Sequence, residues 1–363
     1  MKPGLEAEKL VKEFGAKPVS ELDSIPDFFT FKKGLIYSHR EFDKFFSELK
    51  KNKKCAVVSG FNASGSIHLG HLPLFKTNLF FQKRYGIPVF IPISDDESYV
   101  TGKVKTQEEG LKNSFNIAKQ ILALGFDPKK TFFIIDQIFT DIYNLAIMLS
   151  RGVTYSQIKA TYGYAQETNP GVLFYPSVQS AHILMPQTED FGKIENVLVP
   201  IGLDEDSHIR ICRDLAPKFN FKKPAIIHSL FMPGLDGEKM KKSKPETAIF
   251  LTDSENDIKR KIGKAFTGGK ETLEKQKKEG GNPDVCVVAE YLNILYLSDE
   301  DYKDLSEQCR AGKTFCGNCK KLLIEKLQEE IGKIQENLKK IKDSDIDKSL
   351  LKNNNCFTKY QKS

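Results

Sequence analysis

The stretch that most constrains the fold runs from residue 55 to residue 81. It opens with an apolar run at 55–58, passes through a Gly/Ser-rich turn that contains His68 and His71, and ends in a segment with apolar residues at helical spacing. A strand, a glycine-rich turn and a helix start present phosphate sites in α/β proteins, because glycine lets the backbone approach and the helix N-terminus offers free N–H groups. The two histidines share one face of the first turn, where they can donate hydrogen bonds to a phosphate. A solvated turn capped by structural histidines fits this stretch alone nearly as well.

Strand-like and helix-like patterns alternate up to about residue 254. Apolar runs predict strands at 89–93, 131–136, 197–201 and 224–228, and residues 107–124 read as an amphipathic helix. This alternation predicts a parallel sheet with right-handed crossovers. Glu97 and Asp204 follow two of the strands, at the end where ligands bind in open parallel sheets. Capping of the following helices is a compatible reading of these acidic residues.

The chain changes character after about residue 255. Strand runs vanish, lysine-rich helical patterning takes over, and apolar residues from 327 to 341 form a narrow seam on a long helix. The polar tail at 343–363 is expected to fray. The predicted fold class is therefore α/β, with a Rossmann-like parallel-sheet domain at 55–254, an inserted helical segment at about 100–190, and a C-terminal α-helical domain at 255–363. Residues 1–54 are predicted to form an N-terminal appendage.

A helical face at 175–182 carries three polar tips. Tyr175, Gln179 and His182 are spaced i, i+4, i+7 and are flanked by apolar residues. Such a face suits a pocket for a mostly apolar ligand with one or two hydrogen-bonding atoms. A partly buried helix with satisfied polar residues is the common alternative for this pattern.

Four of the seven cysteines lie within 34 residues of one another. Cys286, Cys309, Cys316 and Cys319 have the spacing C-x22-C-x6-C-x2-C. Four thiolates with one close pair can bind tetrahedral zinc or a 4Fe–4S cluster. Separate buried or free thiols are the alternative, and the remaining three cysteines have no assigned role.

Composition limits the class of protein. No window holds the 18 or so apolar residues of a membrane span, and the N-terminus has no apolar signal region. A cytoplasmic chain without a membrane partner is expected. The net charge of +7 is compatible with a polyanionic partner.

A second motif narrows the function. Residues 237–244 read Gly-Glu-Lys-Met-Lys-Lys-Ser-Lys. Together with His68-Leu69-Gly70-His71, this run resembles the two signatures of class I aminoacyl-tRNA synthetases, the HIGH motif and the KMSKS loop. Further segments resemble the tryptophanyl-tRNA synthetases of the archaeal and eukaryotic type: residues 37–43, 213–217, 224–228, 243–253, 265–269 and 280–286.

The resemblance implies a two-step reaction. The tryptophan carboxylate attacks the α-phosphate of ATP, which carries Mg²⁺, and the terminal ribose of tRNA(Trp) then takes the tryptophanyl group. It implies phosphate contacts from His68 and His71, and pyrophosphate contacts from Lys239 and Lys242, with Ser243 and Met240 shaping the loop. It further implies that ATP is bound by Gly60, Gly70, Met240 and Asp204. The amino acid would be bound by Tyr175, Gln179, His182 and Glu97.

The resemblance also bears on the cofactor, the assembly and the alternatives. The cysteine spacing resembles a 4Fe–4S motif that some members carry in the anticodon-binding domain, here residues 255–363, and favours iron–sulfur over zinc. The family is dimeric, so a homodimer is expected. Lys241 stands where the family usually has serine, and His182 where related synthetases often have an acidic residue. A tyrosyl enzyme and a non-catalytic synthetase-like RNA-binding protein remain as alternatives.

Overall fold

The structure, a computed structural model, describes residues 5–240, 242 and 244–358. Within this part of the chain one sheet forms the centre. The strands are Lys17–Pro18 (β1), Ile36–Arg40 (β2), Cys55–Val58 (β3), Phe61–Asn62 (β4), Val89–Ser94 (β5), Thr131–Ile135 (β6), Asn196–Gly202 (β7) and Ala225–Ser229 (β8). The helices up to the last strand are Leu5–Lys12 (α1), Phe29–Lys32 (α2), Phe42–Lys50 (α3), Leu72–Tyr85 (α4), Asp95–Val100 (α5), Gln107–Ala123 (α6), Ile142–Ser150 (α7), Tyr155–Tyr162 (α8), Pro170–Leu184 (α9) and Asp206–Leu215 (α10). The later helices are Glu255–Gly263 (α11), Leu273–Glu279 (α12), Val287–Leu295 (α13), Asp299–Arg310 (α14), Cys316–Lys340 (α15) and Asp343–Ser349 (α16).

The sheet is parallel except at one edge. Its order is β1-β2-β8-β7-β3-β5, and both β4 and β6 pair with β5. β1 and β2 run antiparallel to their neighbours, and the other pairs are parallel. The predicted α/β fold class is confirmed. The antiparallel edge was not predicted, and it places part of the predicted N-terminal appendage in the sheet.

The strand β3 lies inside the sheet and is buried on both faces. Val57 packs into the core on one side, whereas Ala56 and Val58 pack into a second core on the other. Successive side chains of a strand point to opposite faces, so a strand covered by helices on both sides must be apolar throughout. This is why the strands read as continuous apolar runs in the sequence.

The parallel strands bring three segments, two turns and one short helix, to one edge of the sheet. The histidine turn follows β3 and β4, α5 follows β5, and the 3₁₀ turn Leu203–Glu205 follows β7. Because parallel strands share a direction, their carboxyl ends meet at the same edge, where open α/β sheets bind ligands. The loop that carries Lys239 follows β8 and reaches the same edge.

The chain after residue 254 is helical in its described part. The predicted apolar seam lies on α15, where Leu327, Ile331 and Ile334 are buried, and it continues through partly buried Leu338 to Ile341 just beyond the helix. No helix among the described residues is both long and apolar enough to cross a membrane.

The prediction of a frayed tail is wrong for residues 343–358. Residues 343–349 form α16, and Phe357 is fully buried against Phe139 and Phe191. Asp141 Oδ2 accepts the backbone N–H groups of Asn354 and Cys356, at 2.8 and 2.9 Å. One aromatic anchor and one carboxylate therefore hold a segment whose polar composition suggested disorder.

Candidate active site

His71 ends the 3₁₀ turn Leu69–His71, which leads directly into α4, and His68 caps the start of that turn. The backbone N–H of His68 donates to Nδ1 of His71 at 3.2 Å, and the two ring centroids are 3.6 Å apart. Burial lowers the pKa of His68 to about 3 and that of His71 well below its ordinary value, so both rings are neutral at pH 7. Because Nδ1 of His71 accepts a hydrogen bond, its proton lies on Nε2. The pair therefore offers neutral N–H donors.

The loop after β8 lies against this turn. The N–H of Gly70 contacts Sδ of Met240 at 3.3 Å, which joins the two motifs directly. Two backbone hydrogen bonds on either side of His68 add to this contact. Leu251 N–H donates to Ile67 O at 3.1 Å, and Leu69 N–H donates to Ile249 O at 2.7 Å. Lys241 and Ser243 lie outside the described residues.

The two described lysines of the loop have different environments. Lys239 Nζ lies 2.6 Å from Oδ2 of Asp204 and 3.7 Å from the centroid of the Phe231 ring. Lys242 Nζ lies 4.3 Å from the centroid of the Phe61 ring, and burial lowers its pKa to about 8. A partly buried cation that has no carboxylate partner among the described residues suits an anionic ligand. Lys239 has to exchange Asp204 for any phosphate that it binds.

A cavity of ≈ 250 Å³ lies between the histidine turn and the loop. It is lined by His68, Gly70, His71, Asp204, Lys239 and Met240, among others. A Cβ on Gly70 would lie 3.0 Å from the His68 ring and 3.3 Å from Met240 Sδ, so only glycine leaves this space open. The structure thus brings most of the predicted phosphate and ATP residues together.

A larger cavity of ≈ 660 Å³ adjoins the first one. All four residues predicted to bind the amino acid line this cavity: Glu97, Tyr175, Gln179 and His182. Gly60, His71 and Lys242 line it as well. Gly60, predicted to bind ATP, therefore lies in this larger cavity and not in the smaller one. The two cavities share His71, Leu74, Gly202 and Glu205, so ligands in each would meet.

The polar tips on α9 already have partners. Tyr175 Oη lies 2.7 Å from Oγ of Ser94, and Gln179 Oε1 accepts a hydrogen bond from the hydroxyl of Tyr162 at 3.1 Å. His182 Nε2 lies 2.7 Å from Oδ1 of Asp136. These bonds fix the direction of each group at the cavity wall.

Glu97 contributes a carboxylate to the wall of the larger cavity. Its Oε1 pairs with Lys103 Nζ at 2.7 Å, and its other oxygen accepts a hydrogen bond from the amide of Asn62. Burial raises its pKa, although Lys103 opposes the shift. A carboxylate here can receive an ammonium group.

Sequence reasoning missed several residues of this wall. Asn62, Lys103, Tyr162 and His208 line the larger cavity, and the Tyr162 and His208 rings stack at 4.0 Å. Asn62 ends β4, a few residues before the histidine turn, and this proximity to the motif was a usable signal. The others come from separate segments, and only the fold shows that they meet.

The four predicted cysteines line one further cavity, far along the chain from the histidine turn. Two glycines cradle their sulfurs: a Cβ on Gly269 would lie 2.6 Å from Cys316 Sγ, and one on Gly281 would lie 2.8 Å from Cys309 Sγ. Burial, followed by the neighbouring thiolates, raises the pKa of Cys319 to about 11. Neighbouring thiols disfavour one another's ionisation because the thiolates repel. A bound metal cation would remove this repulsion, so four such thiols suit a metal centre.

Comparison with known proteins identifies the class. The family model described as tRNA synthetases class I (W and Y) matches residues 50–331. This span contains the histidine turn, the lysine loop and the whole cavity wall. The chain belongs to this family, and the membership predicted from the sequence is confirmed.

Within this family, the chain is similar to proteins named for tryptophan. A tryptophan–tRNA ligase of Methanocaldococcus jannaschii is 39% identical over 349 residues, which cover 93% of this chain and 94% of that protein. A tryptophan–tRNA ligase of Pyrobaculum calidifontis is 34% identical and covers 93% of each chain. The crystal structure of tryptophanyl-tRNA synthetase from Aeropyrum pernix is similar, with a TM-score of 0.88 and 32% identity, and the match covers 95% of this chain and 96% of that one.

Proposed function

We propose that this chain is an enzyme that activates L-tryptophan with ATP and transfers the tryptophanyl group to tRNA(Trp). The observation that carries the proposal is the contact between Gly70 and Met240, because it closes the lysine loop over the histidine turn at the junction of two cavities. Relatives that match nearly the whole chain carry the name tryptophan–tRNA ligase, which favours tryptophan over tyrosine.

The first step is a displacement at the α-phosphate. The tryptophan carboxylate attacks from the larger cavity, pyrophosphate leaves towards the loop, and no covalent enzyme intermediate forms. His68 and His71 donate neutral N–H groups to the phosphates, whereas Lys239 and Lys242 supply positive charge to the leaving pyrophosphate. Ser243 completes the loop and Mg²⁺ accompanies ATP. Catalysis consists of positioning and of stabilising the charge that develops in the transition state.

The substrates divide between the cavities. ATP is bound by Gly70, Met240 and Asp204 in the smaller cavity, and Gly60 meets it from the larger one. Tryptophan takes the larger cavity, with its ammonium towards Glu97 and its ring among Tyr175, Gln179 and His182. The mixture of an apolar wall and a few fixed polar groups supports a ligand of this kind.

Pyrophosphate exchange tests the activation step. ATP–pyrophosphate exchange is measured with tryptophan and with tyrosine in turn, and we expect exchange with tryptophan alone. Exchange with tyrosine alone would identify a tyrosyl enzyme. Exchange with neither, in a folded protein that binds RNA, would identify a non-catalytic protein.

The four cysteines are proposed to hold a 4Fe–4S cluster, with zinc as the alternative. The glycine cradle and the shared cavity fit a metal centre, and the resemblance favours iron–sulfur. Anaerobic purification is expected to give a brown protein with iron and acid-labile sulfide, and the variant Cys319→Ser is expected to lose both. The matched control Cys356→Ser, outside the set, retains them. A colourless protein that carries zinc would overturn this assignment.

The helical part of the chain is proposed to read the tRNA. Residues 255–363 form the anticodon-binding domain, residues 55–254 the catalytic domain and residues 1–54 its appendage. The enzyme is proposed to act as a cytoplasmic homodimer. Sedimentation equilibrium is expected to give twice the mass of one chain, and a single-chain mass over the working concentration range would contradict the dimer.

A further inference from the structure

A buried hydrogen-bonded pair, His182 and Asp136, lies at the wall of the larger cavity, which is proposed to bind tryptophan. His182 is 2% exposed and Asp136 is fully buried, and Asp136 does not line the cavity itself. The 2.7 Å contact between His182 Nε2 and Asp136 Oδ1 joins residues that are 46 positions apart. Because Nε2 is engaged, Nδ1 is the ring nitrogen of His182 that can meet a ligand.

Two neighbouring aspartates hold Asp136 in place and affect its protonation. Its backbone N–H donates to Oδ1 of Asp95 at 2.9 Å, which anchors the residue. Carboxylate oxygens of Asp95, Asp96 and Asp136 lie within 4.8 Å of one another. Burial raises the pKa of Asp136 to about 8 and that of Asp96 well above its ordinary value. The two carboxyl groups therefore retain a proton between them at neutral pH.

The position of the single proton on the His182 imidazole follows from its surroundings. Burial lowers the pKa of His182 to about 4, so the ring is neutral at pH 7 and carries one proton. No donor among the described residues reaches Asp136 Oδ2, which leaves this oxygen available to share a proton with Asp96. A carboxyl oxygen that faces Nε2 at 2.7 Å is best satisfied as an acceptor, so the imidazole proton lies on Nε2. Nδ1 is then an unprotonated acceptor.

We propose that Asp136 is a positioning residue that holds His182 in the Nε2–H tautomer, so that Nδ1 accepts the ring N–H of tryptophan. The inference rests on the proposed function and extends it to a residue that does not touch the substrate. The other polar groups on α9 support this assignment, because Tyr175 is bonded to Ser94 and the Gln179 oxygen already accepts a bond from Tyr162. The cavity wall also has apolar side chains, including Val58, Pro92, Ile183 and Val199, which cannot accept a hydrogen bond.

A substrate analogue isolates the ring N–H. In the benzothiophene analogue of tryptophan, sulfur replaces the N–H group and the ring shape is retained. The kcat/KM of pyrophosphate exchange is measured for both substrates. Wild type is expected to prefer tryptophan by about 10- to 100-fold, the effect of one buried hydrogen bond and its unpaired acceptor. A preference below about threefold would overturn the inference without any variant.

Variants then test whether Asp136 acts through His182. Asp136→Ala is expected to bring the preference close to one, chiefly through the KM for tryptophan. Asp136→Asn keeps an acceptor oxygen for Nε2–H and can donate to Asp96, so it is expected to rescue the preference. The control Ser180→Ala removes a buried hydroxyl from the same helix, which donates to Pro176 O at 2.7 Å and also meets the Cys212 thiol, and it is expected to leave the preference unchanged.

The outcomes separate the two proposals. An Asp136→Ala enzyme that loses activity equally on both substrates, and so keeps the wild-type preference, would show a merely structural role and overturn the inference. If this variant does not fold, nitrogen-15 NMR of labelled histidines in the wild-type enzyme decides, since the chain has six histidines. The inference requires an unprotonated Nδ1 in His182 whose resonance shifts when tryptophan binds, and a protonated Nδ1 would overturn it. Failure of wild type to exchange with tryptophan would instead refute the proposed function.

Discussion

The partly buried lysine of the loop makes a quantitative prediction. Lys242 has a pKa lowered to about 8, first by burial and then by the charge of Lys103. Its Nζ faces the Phe61 ring, and its polar contacts to Ser64 Oγ and Gly65 O are long, at 3.4 Å each. No carboxylate of a described residue pairs with Nζ to offset the cost of burying the charge, so the lysine loses its proton at an unusually low pH.

The expected size follows from the fraction of charged lysine. With a pKa of about 8, the charged form outnumbers the neutral one about tenfold at pH 7, and the ratio is inverted at pH 9. If only charged Lys242 stabilises the leaving pyrophosphate, kcat/KM for ATP falls about tenfold between pH 7 and pH 9. The assay is pyrophosphate exchange at saturating tryptophan across this range.

Two variants separate Lys242 from other groups that titrate near pH 8, such as Asp136. Lys242→Arg keeps its charge throughout the range and is expected to lose most of the alkaline fall. Lys242→Met is expected to cost about 100- to 1000-fold at pH 7, with little further change at pH 9. A wild-type profile that is flat from pH 7 to pH 9, or an equal fall in Lys242→Arg, would refute the reasoning.

Three further predictions concern binding and stability. The chain contains no tryptophan, so indole emission is expected to come from the bound substrate alone and to change as it binds; unchanged emission with a folded protein would argue against binding. Phe357→Ala is expected to lower the free energy of unfolding by about 3–5 kcal/mol in chemical denaturation, and a change below about 1 kcal/mol would contradict the anchoring role. Burial raises the pKa of Glu41, but hydrogen bonds from Lys44 and Arg213 outweigh it and lower the pKa to about 2. Ionised Glu41 is therefore expected to stabilise the fold above pH 4.5, and this effect is expected to disappear towards pH 2. The free energies of unfolding of wild type and Glu41→Gln should converge in acid, and a difference that does not change with pH would be evidence against these hydrogen bonds.

Local patterns were enough to predict much of the site. His68 and His71 lie in a turn set by the preceding strand and the following helix, and Tyr175, Gln179 and His182 share a face because helical spacing requires it. The bonding partners were not predictable in this way. Lys239 meets Asp204 across 35 residues, and this contact depends on how the loop after β8 folds back over the sheet.

The sequence by itself determined the alternation of strands and helices, the two nucleotide motifs and the cysteine set, because each depends on residue type and spacing within a short segment. Only the tertiary structure decided that β2 joins the sheet antiparallel, that Phe357 anchors the tail, and that Asp136 lies behind His182. The physical reason is that these features are contacts between distant segments. They follow from strand order and from the burial of particular side chains, and no local periodicity records either of them.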